Sequence, residues 1–164
     1  MSALLKLLVV ASAASASVAC LSATLYAGGV FLPEADDACL GCLCEATSGC
    51  NMSAMCLPQR TLCGPFLVAP QYWRDAGSPL LRGDWPTNPG AYYRCVTDIF
   101  CAAATVRGYL SRYAQDCNWD GRVDCDDYAR IHYMGGHQCT LPVEHLGYYK
   151  VFRECMDSLQ QLNG

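Results

Sequence analysis

The stretch that decides the fold reads Cys39-Leu-Gly-Cys42-Leu-Cys44-Glu-Ala-Thr-Ser-Gly-Cys50, and two more cysteines follow at positions 56 and 63. Cys39 and Cys42 stand at helical spacing and Gly49 is a suitable C-cap, so the stretch predicts a short helix over about 39–48. Thirteen cysteines in 164 residues are typical of a disulfide-rich protein from an oxidising compartment. A metal site on the Cys-x-x-Cys-x-Cys spacing is the less favoured alternative in a chain with so many other cysteines.

Disulfide bridges are expected at twelve of these positions: Cys39, Cys42, Cys44, Cys50, Cys56, Cys63, Cys95, Cys101, Cys117, Cys125, Cys139 and Cys155. Three pairs are close enough in sequence to join easily: Cys44–Cys50, Cys56–Cys63 and Cys95–Cys101. The sequence leaves the remaining pairings open.

The N-terminus has the pattern of a secretory signal peptide. Lys6 precedes an apolar run and then a series of Ala and Ser residues. We assign the signal to residues 1–23, with its end between 19 and 27, because a cut after position 23 removes Cys20 and leaves an even number of cysteines. An uncleaved membrane anchor is the alternative, since no charge interrupts residues 7–32. After cleavage, the protein is expected to be secreted and free of the membrane.

The rest of the chain suits one folded domain. Residues 24–38 form a lead-in and residues 39–164 the domain, because 52% apolar and 16% charged residues are typical of a globular chain. Eleven Lys and Arg against fifteen Asp and Glu give a net charge of −4, and loss of Lys6 with the signal makes it one unit more negative. This balance argues against a nucleic-acid binder, which carries a basic face.

The pattern of elements predicts an α+β fold that is mostly helical, with one small β-hairpin. Asp98 is a good N-cap for a helix with Ile99, Ala103, Val106, Leu110 and Tyr113 on one apolar face. The other expected elements are a hairpin over about 56–69, a loop-rich segment over 70–94, a helix over about 125–134 ended by Gly135-Gly136, and a last helix over about 142–156 with Pro142 in its first turn.

Several motifs, in order and with cysteines between them, carry a family resemblance. The 39–50 stretch is followed by Cys63-Gly-Pro-Phe66, Pro70-Gln-Tyr72-Trp73-Arg-Asp75 and Cys125-Asp-Asp-Tyr128-Ala-Arg-Ile-His132-x-x-Gly-Gly136. Together these motifs resemble the invertebrate-type (destabilase-type) lysozymes over about 39–155. The resemblance implies a compact lysozyme-like domain, secretion, and hydrolysis of β-1,4 glycosidic bonds in bacterial peptidoglycan without a cofactor.

The catalytic residues that the resemblance implies are absent. Active members place a Glu directly before the Ser of the first helix, and here that position is Thr47. Glu45 lies two residues earlier, about 200° around the helix, and is expected to face away from a cleft. The family's Asp follows the next cysteine, but residues 57–62 read Leu-Pro-Gln-Arg-Thr-Leu. Some members of the family are credited with isopeptidase activity through a Ser and a Lys near the hairpin, and the matching positions here hold Leu62 and Ala69. Muramidase activity is therefore predicted to be weak or lost.

Three functional interpretations stay open. The first is a glycosidase with substitute carboxylates at Asp75 and Asp84. The second is a non-catalytic binder of peptidoglycan, of a chitin-like glycan or of the bacterial surface, acting as a monomer in defence or digestion. The third is a structural or immune-modulating secreted module without a glycan role. His132 is a further weak catalytic candidate, although a lone histidine on a helix is more often structural.

Three aromatic residues could stack on sugar rings: Tyr72, Trp73 and Trp85. Trp73 is expected to pack inside the domain. Trp85 is the better surface candidate because Asp84 and Pro86 flank it.

One acidic segment matches a twelve-residue calcium loop between two predicted helices. Its proposed ligands are Asp116, Asn118, Asp120, Arg122 through its backbone carbonyl, Asp124 and Asp127. Gly121 stands where such loops turn sharply. The segment predicts a weak, structural calcium ion; the alternative is an acidic interhelical turn that caps the second helix. Separately, Asn51-Met-Ser53 is a sequon for N-glycosylation.

Overall fold

The computed structural model describes residues 35–52, 56 and 62–163, and the predicted signal peptide lies outside them. The described residues form six helices: α1 (Asp37–Ser48), α2 (Pro70–Asp75), α3 (Ala91–Thr97), α4 (Ile99–Tyr113), α5 (Cys125–Met134) and α6 (Gly147–Asn163). The mostly helical prediction is confirmed. In the segment predicted as a hairpin, the described residues contribute only the isolated bridges Cys56–Cys63 and Cys63–Val68.

Helix α1 is the predicted cysteine-rich helix and packs against α5 and α6. It begins two residues earlier than expected, because the Asp36 side chain accepts a hydrogen bond from the Cys39 amide at 2.7 Å. It ends at Gly49, which takes the left-handed conformation expected of a C-cap. Its buried face, which includes the fully buried Leu43, packs against α6, where Phe152 is also fully buried.

Six disulfides join all twelve cysteines of the described residues. The three predicted short-range pairs, Cys44–Cys50, Cys56–Cys63 and Cys95–Cys101, are confirmed. The other three are Cys39–Cys125, Cys42–Cys155 and Cys117–Cys139. Two of these connect α1 to α5 and α6, so three of the helices that line the cleft described below are covalently fixed to one another. Cys20 lies outside the described residues.

Helices α4 and α5 follow the prediction closely. Asp98 caps α4 by accepting hydrogen bonds from the amides of Phe100 and Cys101 at 3.1 and 2.9 Å. Val106 and Leu110 are fully buried, as the periodicity predicts. Helix α5 spans 125–134 and ends at Gly135.

The segment 70–94, predicted to be loop-rich, also contains helical residues that the sequence did not indicate: Pro70 begins the short helix α2, which buries Trp73, and α3 follows after the next loop. One expectation about the remaining helices is wrong. The last helix does not begin at Pro142. Residues 135–146 form turns instead, held by the bridge from Cys117 to Cys139 and by the contact of Glu144 with Arg130, and α6 begins at Gly147.

Among the described residues, no helix has both the length and the apolar character needed to cross a membrane.

Candidate functional site

A cleft of about 650 Å³ lies between α1, α2, α5 and the turn that follows Cys63. Its described lining is mainly aromatic and apolar: Ala46, Thr47, Leu62, Phe66, Leu67, Ala69, Gln71, Tyr72, Asp75, Tyr109, His132, Tyr133, Met134, Gly135 and Tyr148. It therefore has the form and chemistry of a ligand site with few polar groups.

Helix α1 presents Thr47 to the cleft at the position where the resemblance implies a catalytic Glu. The Thr47 hydroxyl donates a hydrogen bond to the Leu43 carbonyl of its own helix at 2.7 Å. Glu45 is exposed and does not line the cleft, as expected from its position around the helix. Position 47 thus supplies a hydroxyl group that is already hydrogen-bonded within α1, and it does not supply an acid.

His132 and Tyr72 form a hydrogen-bonded pair in the wall of the cleft. The Tyr72 hydroxyl lies 3.0 Å from His132 Nδ1. The ring also interacts with the backbone of Phe66, and the tautomer of the imidazole sets which atom of the Tyr72–His132 bond donates. Burial lowers the pKa of His132 to about 4, and the Phe66 hydrogen bond opposes this only in part. The imidazole is therefore neutral near neutral pH.

Four tyrosines line the cleft in two stacked pairs. The Tyr72 and Tyr109 rings are nearly parallel, with centroids 3.6 Å apart, and the Tyr133 and Tyr148 rings stack at 4.7 Å. Burial raises the pKa of Tyr72 well above its ordinary value, and the neighbouring charges of Tyr109 and Tyr148 add to the effect. Burial also raises the pKa values of Tyr109 and Tyr148, so these two and Tyr72 stay protonated and present neutral hydroxyls and ring surface.

Asp75 is the only carboxylate among the described lining residues. It is partly buried at the end of α2 and accepts a hydrogen bond from the Gln71 side-chain amide at 2.9 Å. Asp84, the other sequence candidate, does not line the cleft. It forms an ion pair with Arg94, with Oδ1 2.8 Å and Oδ2 2.9 Å from guanidinium nitrogens. Hydrogen bonds from Arg94 and Asn88 lower the pKa of Asp84 to about 2.

The three aromatic candidates fall into different environments. Tyr72 lines the cleft, whereas Trp73 packs in the core as expected and donates its indole N–H to the Pro79 carbonyl at 2.8 Å. Trp85 is 69% exposed, as expected of a surface residue, but lies outside the cleft lining.

The acidic segment at 116–127 uses its carboxylates to hold its own backbone. Asp116 accepts from three backbone amides of the loop, including that of Gly121 at 2.9 Å. Asp127 is fully buried and forms a capping box with Asp124 at the start of α5, and it also accepts from the Cys117 amide at 2.7 Å. Among the described residues, no group of three His, Cys, Asp or Glu could hold a metal. The geometry thus favours the interhelical turn over the calcium loop.

Sequence reasoning missed Tyr109, Tyr133 and Tyr148 as cleft residues. The signal available was weak: Tyr109 lies one position before Leu110 of the predicted apolar face, and Tyr133 follows His132. Their convergence depends on how α4, α5 and α6 pack, which a periodic pattern does not specify.

A family model, related sequences and solved structures all relate this chain to the same group of proteins. The family model described as Destabilase matches residues 36–155. A protein named lysozyme from Ostrea edulis is 34% identical over 65% of this chain and 71% of its own length. Another from Meretrix lusoria is 31% identical over 70% of this chain and 82% of its own length.

Solved structures match as well. The crystal structure of Tapes japonica lysozyme is similar with a TM-score of 0.54 and 29% identity, over 74% of this chain and 92% of the other. A structure of Meretrix lusoria lysozyme in complex with Aeromonas hydrophila PliI matches with a TM-score of 0.55 and 27% identity, over 73% and 88% of the two chains. The lysozyme-like fold is confirmed by these matches.

Proposed function

Because this chain belongs to the destabilase family of invertebrate-type lysozymes, whose members hydrolyse peptidoglycan, we propose that its cleft binds the glycan of bacterial cell walls while its muramidase activity is weak or lost. The observation that carries this proposal is that the described residues lining the cleft include a single carboxylate, that of Asp75. Glycoside hydrolysis needs two carboxyl groups, one to protonate the leaving oxygen and one to attack or to activate water. Asp75 alone cannot perform both tasks.

The segments outside the described residues do not supply the missing acid within the domain. Residues 53–55 and 57–61 contain neither Asp nor Glu. The Thr47 hydroxyl does not titrate in the range in which a carboxyl group protonates a leaving group. The absence of an acid in these segments follows from the sequence itself.

The histidine and tyrosines of the cleft are poor substitutes for the missing acid. A general acid must hold a proton that it can release near the working pH. His132, with its pKa lowered to about 4, carries no dissociable imidazolium proton near neutral pH. The Tyr72 hydroxyl is already engaged in a hydrogen bond with His132, and its raised pKa makes proton release harder still.

Glycan binding is supported by the aromatic lining. Tyrosine rings pack against the apolar faces of sugars, and their hydroxyls exchange hydrogen bonds with sugar hydroxyls. Tyr133 is half exposed and lies at an accessible part of the wall, so a bound sugar can reach it without rearrangement of the core.

Two assays on the same preparation test the proposal. We expect the protein to sediment with insoluble peptidoglycan and to leave the turbidity of a cell-wall suspension unchanged. Clearing at the rate of an active lysozyme would overturn the loss of activity. Failure both to sediment and to clear would favour the structural or immune-modulating interpretation.

A matched pair of variants locates the binding site. Tyr133→Ala removes a half-exposed aromatic side chain of the cleft, and Trp119→Ala removes an aromatic side chain that is 79% exposed and outside the cleft lining. We expect sedimentation to fall in Tyr133→Ala only. Trp85→Ala, also exposed, tests the surface tryptophan that the sequence favoured; a loss of binding in this variant would move the site away from the cleft.

We also propose that the protein is secreted, monomeric and glycosylated at Asn51. The six disulfides support an oxidising compartment, and Asn51 is exposed just after the bridged Cys50. Digestion of the secreted protein with an enzyme that removes N-glycans should increase its mobility on a gel. An unchanged mobility, equal to that of Asn51→Gln, would contradict the glycosylation, and light scattering measures the oligomeric state.

A further inference from the structure

The carboxylate of Asp75 is an unneutralised charge in the cleft. Among the ion pairs of the described residues, none includes Asp75. Its side chain accepts only from the neutral amide of Gln71. Arg112 binds the backbone carbonyl of Asp75 at 2.9 Å instead of the carboxylate. The described lining contains no Lys or Arg, and His132 is neutral.

Tyrosine rings line the same cleft as this negative charge. The face of an aromatic ring attracts cations through its quadrupole, and the four tyrosines of the cleft are Tyr72, Tyr109, Tyr133 and Tyr148. Asp75 is close enough to affect Tyr109, because its charge contributes, after burial and the charge of Tyr113, to the raised pKa of Tyr109. A lone carboxylate among aromatic rings favours a ligand that carries an ammonium group.

Within the glycan-binding function proposed above, on which this inference rests, we propose that the cleft prefers amino sugars that have lost their N-acetyl groups. The ammonium group of such a sugar forms a charge-assisted hydrogen bond with Asp75 and lies against the tyrosine rings. A fully N-acetylated glycan offers a neutral amide at the same place and leaves the carboxylate unpaired. Asp75 is thus a specificity-determining residue of the cleft.

Calorimetric titration of the full chain with two oligosaccharides of equal length tests this inference. One is a glucosamine oligomer and the other is its fully N-acetylated counterpart, both at a mildly acidic pH at which the free amines are protonated. Charge-assisted hydrogen bonds are worth more than neutral ones by an amount that corresponds to about tenfold in affinity. We therefore expect the glucosamine oligomer to bind about ten times more tightly, and less so at high salt.

Two variants complete the experiment. Asp75→Asn keeps an oxygen that can accept from Gln71 and is expected to bring the two affinities together. Asp157→Asn removes the same charge from the exposed surface of α6 and is expected to leave the ratio unchanged, which excludes an effect of net charge. Equal affinities in the unmodified protein, or a preference that survives Asp75→Asn, would overturn the inference and leave glycan binding intact. Absence of binding to both oligomers would overturn the inference together with the proposed function.

Discussion

His132 is expected to make the stability of the protein depend on pH in a defined window. Its ring lies within the cleft wall, edge-on to Tyr72 and Phe66, and burial lowers its pKa from 6.5 to about 4. Between these two values the unfolded chain binds a proton that the folded protein does not bind. The free energy of unfolding therefore falls as the pH falls through this window.

The size of the effect follows from the two pKa values. Each unit of pKa difference corresponds to about 1.4 kcal/mol, so the full shift is worth roughly 3 kcal/mol. Between about pH 7 and about pH 4.5, the protein should lose about 2–3 kcal/mol from this group. Denaturant titrations at the two pH values measure the loss.

The variant His132→Gln isolates this contribution. A glutamine side chain can both donate and accept hydrogen bonds, as the neutral imidazole does, but it does not titrate. The other titrating groups are present in both proteins and cancel in the difference, so the variant should lose about 2–3 kcal/mol less than the parent over the same pH interval. Parallel pH profiles for the two proteins would refute the reasoning that the ring is held neutral by burial.

Three further predictions concern the scaffold. Replacing Cys42 and Cys155 by Ala should cost about 3–4 kcal/mol, because with the 39–125 and 117–139 bridges intact the broken loop still spans about 27 residues of the unfolded chain. Removal of the short 44–50 bridge should cost about 2 kcal/mol. Denaturant unfolding compares the two variants, and equal costs would contradict the dependence on loop length. Gly64→Ala should lower the melting temperature severely, because its φ is +74° and a Cβ would lie 1.7 Å from a backbone oxygen of α3; an unchanged melting temperature would contradict that packing. Calcium in place of a chelator should leave the melting temperature unchanged, since the carboxylates at 116–127 accept hydrogen bonds from backbone amides. A clear rise in the melting temperature would support calcium binding by this loop instead.

The elements that could be predicted from the sequence are those fixed by local interactions. Helix α4 carries its own N-cap at Asp98, α5 ends at Gly135, and α1 ends at Gly49, so each boundary is encoded within a few residues of itself. The three short disulfides close loops of six or seven residues, which few alternative pairings can match. In each case, the contact that sets the helix boundary or the disulfide pairing joins residues that are close together in the sequence.

The misplaced elements depend on distant contacts. Pro142 is a good first-turn residue, yet the bridge to Cys139 and the ion pair of Glu144 with Arg130 hold this segment in turns, so α6 begins later. The geometry of the cleft also depends on contacts between residues that are distant in the chain. Thr47 and Asp75 could be selected from their motifs, but the unpaired state of Asp75 and the His132–Tyr72 bond, between residues 60 positions apart, require the tertiary structure.

The most direct test of the central claim is the release of reducing ends from purified, insoluble peptidoglycan, measured beside sedimentation of the protein with the same material. We expect the protein to sediment with the peptidoglycan, while the release of reducing ends stays at the level of the Asp75→Asn variant. Release well above background by the unmodified protein, abolished in Asp75→Asn, would contradict this expectation, because a single carboxylate would then support hydrolysis.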